Sequence, residues 1–77
     1  MSCTLVVRKI PKQTKEWCFK LGLRDVLHER YYDHMDVSAI PFLKCLEFNA
    51  SAEDKKQLRQ IIDALEDGFK ITMQMEC

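Results

Sequence analysis

Glycine and proline are scarce in this chain, with two of each among 77 residues, and no low-complexity tract breaks it up. With 47% hydrophobic residues beside that scarcity, the chain is neither linker-rich nor disordered. Two glycines also exclude a phosphate loop of the multi-glycine kind, which needs several such residues in one turn so that backbone amides can approach the phosphate. Long apolar runs are missing as well: none approaches the ~20 residues a membrane-crossing helix requires. Arg8 and Lys9 close the short apolar stretch near the start before it reaches the length of a secretory core. No export and no membrane partner are expected, and the expected location is cytoplasmic.

Net charge is absent too, since 12 basic side chains meet 12 acidic ones. A neutral total excludes general long-range attraction to nucleic acid or anionic lipid. The charges are unevenly placed, however. Residues 1–24 carry Arg8, Lys9, Lys12, Lys15, Lys20 and Arg24 against the single Glu16, while residues 25–36 carry Asp25, Glu29, Asp33 and Asp36 against Arg30. Four cysteines, Cys3, Cys18, Cys45 and Cys77, are too dispersed for a metal knuckle or a dense disulfide framework. In a reducing compartment they are expected as free thiols packed like small hydrophobes.

What is present is enough for one core and not for two, so residues 1–77 are expected to form a single compact domain. Its plainest element is a C-terminal strand, in which Phe69, Ile71, Met73, Met75 and Cys77 alternate with Lys70, Thr72, Gln74 and Glu76. Before it, Ser51 and Asp54 have capping spacing, Leu58, Ile61, Ile62 and Leu65 recur at helical spacing, and Gly68 is a stop signal. A helix is predicted over 52–67. A β-branched run predicts a strand from Cys3 to Ile10. Residues 15–23 alternate as a strand but also fit a helical stripe; strand followed by a helix from Arg24 to about Met35 is the preferred reading, with Trp17 in the core. Residues 40–48 are read as a helix beginning near Pro41, with a strand as the alternative. The expected fold class is α+β, a small and mostly antiparallel sheet of about three strands with two or three helices packed on one face.

Catalysis would leave a constellation of residues, and no such motif is visible. Cys18 with His28 or His34 is the best available thiol–base pair, and nothing in their separation places them together. His28 and His34 lie about 240° apart on a helix and cannot share one ion from one face, while Asp33, His34 and Asp36 read as a solvated helix end. No enzyme, metal site or cofactor is expected. Asp25, Glu29, Asp33 and Asp36 recur at spacings of four, four and three, which on a helix makes one acidic face beside Tyr32. That face is read as a wet surface, as a partner of the basic third of the chain, or as a docking surface for another protein.

The expected function is therefore a non-enzymatic protein-interaction module, such as a small regulatory subunit or stoichiometric inhibitor, a profile shared by accessory proteins of viruses and mobile elements. Binding would use Asp25, Glu29, Asp33, Asp36 and Tyr32, and a homodimer is expected because so small a core is marginal. The alternative is a nucleic-acid-binding regulator using Arg8, Lys9, Lys12 and Lys15 on an N-terminal hairpin. A small thiol enzyme is the third and weakest reading.

Overall fold

The computed structural model describes residues 3–10, 16–19 and 23–77, with the backbone alone for 16–18. The expectations placed on Lys12 and Lys15, and on the side chains of Trp17 and Cys18, lie outside the described residues. The elements run β1 (Thr4–Ile10), β2 (Glu16–Phe19), α1 (Leu23–Tyr31), β3 (His34–Met35), a 3₁₀ turn (Val37–Ala39), α2 (Ile40–Asn49), α3 (Ala52–Glu66) and β4 (Lys70–Glu76). The fold is α+β, with every strand pairing antiparallel in the order β2-β1-β4-β3.

Register follows from the alternation. Val7 stands opposite Met73 and Leu5 opposite Phe19 and Met75, so the apolar side chains of three strands share one face. The helices cover that face. Leu5, Val7, Phe19 and Ile71 meet Leu27 of α1, Leu43 of α2, and Leu58, Ile61, Ile62 and Leu65 of α3 in one fully buried core. Lys9 shares the inner face at its margin and lays its ammonium over the Phe69 ring at 4.4 Å. Val6 points the other way and is buried all the same, beside Arg8, whose guanidinium reaches Gln74 at 3.5 Å.

Helix boundaries obey local chemistry. The Ser51 hydroxyl accepts the Asp54 amide at 3.3 Å, closing the first turn of α3, and Pro41 sits in the first turn of α2, where a missing N–H costs nothing. Gly68 ends α3 with φ of 94°, a backbone that favours glycine. α3 is held less by Arg59–Asp63, at 3.9 Å, than by Arg59 forking onto Glu47 of α2, with Nε and Nη2 at 3.0 and 2.7 Å from its two oxygens.

Two expectations are corrected. The helix does not run to Met35: it ends at Tyr31, because the free edge of β4 captures the chain beyond it, with the Met73 amide donating to the Asp33 carbonyl at 2.7 Å and His34 and Met35 pairing with Thr72 and Ile71. Nor are the cysteines all free. Thr4 pairs with Glu76, so the next pair outward in the ladder is Cys3 and Cys77, and these form a disulfide. Among the described residues Cys45 is a free and exposed thiol.

Candidate functional site: the exposed face of α1 and the turn after it

α1 buries Leu27 and half-buries Leu23 and Tyr31, which leaves Asp25, Val26, Glu29 and Arg30 facing outward. Arg24 ties the start of this helix to the sheet: its Nη1 donates to the Cys3 carbonyl at 2.5 Å and its Nε to Asp25 at 3.0 Å. At the other end the Tyr32 amide makes the last helical bond, to the His28 carbonyl at 2.9 Å, and the Asp33 amide then turns back to the Tyr31 carbonyl at 2.8 Å. That reversal puts Tyr32 at φ of 65°. The position is one where a helix stop ordinarily carries glycine, and an L side chain there costs roughly 1–2 kcal/mol.

The Tyr32 ring stacks on His28, with centroids 5.2 Å apart and planes 30° from parallel, yet it stays 72% exposed. Its neighbour Tyr31 behaves oppositely, turning inward to meet the Phe42 ring edge-on at 5.9 Å. On the other side of α1, Val26, Glu29 and Arg30 line with Phe42 an open groove of about 500 Å³, and the Arg30 guanidinium lies 4.4 Å over the Phe42 face. Val37, in the 3₁₀ turn, is a further exposed apolar side chain on this stretch of chain.

The four acidic residues do not form one helix face. Asp25 and Glu29 stand on α1, but Asp33 lies in the turn and Asp36 caps the 3₁₀ turn, so the spacing of four, four and three stops describing a helix after Tyr31. Three of them have local work. Asp25 pairs with Arg24, and Asp33 with the Nδ1 of His34 at 2.7 Å. Asp36 accepts the Ser38 hydroxyl at 2.5 Å and the Ser38 amide at 2.9 Å, and these bonds hold its carboxyl below the ordinary value of 3.8. Glu29 is exposed at the groove, between the Val26–Phe42 side and the Tyr32 side. A basic partner of Asp25 is thus Arg24, a residue of the basic first third of the chain.

The basic residues are likewise divided. Arg8 lies on the outer face of the sheet and Lys9 on the inner one, so these two do not share a surface for a phosphate backbone. Cys3 is in the disulfide, and no group of three metal-ligating side chains gathers among the described residues. What sequence reasoning missed is the groove and its Phe42, because the meeting of α1 with α2 depends on packing. The signal for the Tyr32 backbone was weak: a tyrosine stands where the helix stops, with no glycine nearby.

No family model, no characterised protein and no solved structure matches this chain.

Proposed function

We propose that the chain is a non-enzymatic protein-binding module, a small regulatory subunit or inhibitor, that docks a basic partner on the exposed face of α1 and the turn after it. Tyr32 carries the reading. A tyrosine in a left-handed backbone, 72% exposed, gains little for the fold beyond its stack on His28. Strain of this kind gathers where a surface is used, and an amphipathic ring is a favoured interface anchor. Along the same stretch of chain Asp25, Glu29, Asp33 and Asp36 are exposed, with Glu29 on α1 and Asp33 next to Tyr32 in the turn, and their negative charge suits lysines or arginines on the partner and steers their approach. The groove beside Phe42 offers an apolar side chain of the partner a place to enter.

Two further statements belong to the proposal. The site of action is the cytoplasm, where a disulfide in a small domain is more often a sensor than a permanent staple. The module works as a homodimer at micromolar concentration, and sedimentation that shows only monomer up to hundreds of micromolar rejects that statement. The docking reading is tested by capture from lysates of the source cell with wild type and Tyr32→Gly side by side. It predicts a protein retained by the first and lost by the second, both being folded; equal retention by the two rejects it.

A further inference from the structure

The chain folds its first and last strands, β1 and β4, into the middle of the sheet, flanked by β2 and β3. The Cys3–Cys77 bond joins those two strands directly beyond the Thr4–Glu76 pair, across a sequence separation of 74 residues. Closing a loop of that size removes most conformations of the unfolded chain. The loop-entropy relation puts the effect at about three orders of magnitude in the folded-to-unfolded ratio. A domain this small has a margin of roughly two to four orders of magnitude in the same ratio. The bond is therefore comparable to the whole margin.

The bond is also reachable, since Cys77 is exposed and Cys3 half-buried. Accessible disulfides exchange with thiols, whereas buried ones resist. We propose that Cys3–Cys77 is a redox latch on this fold: thiol reductants open it, and opening releases β1 from β4. In the exchange, a thiolate of a dithiol reductant attacks Sγ of Cys77, the S–S bond breaks, and Cys3 leaves as a thiolate that takes a proton. The second thiol of the reductant then attacks the mixed disulfide and frees the Cys77 thiol. Two electrons pass to the protein, and the dithiol becomes a disulfide.

The latch reaches the face of α1 as well. Arg24, at the start of α1, donates to the carbonyl of Cys3 itself, so the strand end that reduction loosens is the one that anchors the helix bearing Glu29 and, just past its end, Tyr32. This last step rests on the docking reading; the latch does not.

The experiment is urea unfolding of the Cys18→Ser/Cys45→Ser protein, whose remaining cysteines are Cys3 and Cys77, with and without dithiothreitol, beside Cys3→Ala/Cys77→Ala in the same background. Reduction is expected to lower the folded-to-unfolded ratio by about a thousandfold, the double variant to match the reduced protein, and dithiothreitol to leave the double variant unmoved. A glutathione buffer at the cytosolic ratio should also open the bond, read by thiol labelling at Cys3 and Cys77. A loss below tenfold, an equal response of the double variant, or a bond that stays closed in glutathione overturns the latch. None of these readouts involves a partner. Failure of the docking reading would appear separately, as a Tyr32→Gly protein that still holds the captured protein.

Discussion

Replacing Tyr32 with glycine separates what the residue does for the fold from what it does at the surface. Three effects set the change in stability. Relief of the left-handed backbone at φ of 65° returns about 1 kcal/mol. The freer unfolded chain of a glycine costs about 0.5–1 kcal/mol, and loss of the stack on His28 costs about 0.5 kcal/mol. The sum lies within about 1 kcal/mol of zero. Tyr31 provides the contrast, because it is half-buried and meets Phe42 edge-on. Truncating it to alanine opens space under α1 and should cost about 2 kcal/mol. Urea titrations of Tyr32→Gly, Tyr31→Ala and wild type, at unchanged m-value, give both numbers. If Tyr32→Gly loses as much as Tyr31→Ala, the exposed ring is structural and the argument from strain to docking fails.

Three other outcomes follow from single contacts. Gly68→Ala should cost about 1 kcal/mol through backbone strain alone, since φ is 94° and an added Cβ meets nothing within 4 Å; a much larger loss would mean a steric contact. Asp36→Ala should destabilise the protein at neutral pH and matter less in acid. The Ser38 bonds lower the folded-state pKa of Asp36, so its contribution is full above the ordinary 3.8 and is lost as pH falls through the lower folded value; thermal melts whose gap does not narrow in acid would contradict this. Glu29→Gln should leave the melting temperature unchanged and slow partner association at low salt, with the difference shrinking as salt rises; a change confined to the dissociation rate would argue against steering.

Much of the fold was legible because local and global demands agreed. In β4 the alternation that buries Ile71 and Met73 and exposes Lys70 and Gln74 is the same alternation that pairs it with β1. Ser51 and Gly68 mark the ends of α3 by rules that need no tertiary contact. The strand reading of 15–23 holds for β2 over Glu16–Phe19, with 15 and 20–22 outside the described residues and Leu23 already in α1, and the helix reading near Pro41 matches α2. Legibility stopped where a distant strand decided. Nothing between Tyr31 and Met35 announces a helix end, because what ends α1 is the edge of β4, some forty residues later in the chain, whose Met73 amide donates to the Asp33 carbonyl and whose Thr72 and Ile71 pair with His34 and Met35. The acidic face was a casualty of the same event. The Cys3–Cys77 bond was hidden for a similar reason: spacing says nothing of register, and register here is set by Val7 against Met73. Tyr32, named from the sequence only as lying beside the acidic residues, is an exposed side chain in the structure.

The most direct test of the docking face is photo-crosslinking in the source cell. p-Benzoylphenylalanine placed at position 32 sits in the exposed turn at the end of α1, and at position 74 it sits on the exposed outer side of the sheet. The docking account predicts one discrete adduct to a basic protein from position 32 and none from position 74. An adduct from position 74 alone, or the same adduct from both positions, would contradict it.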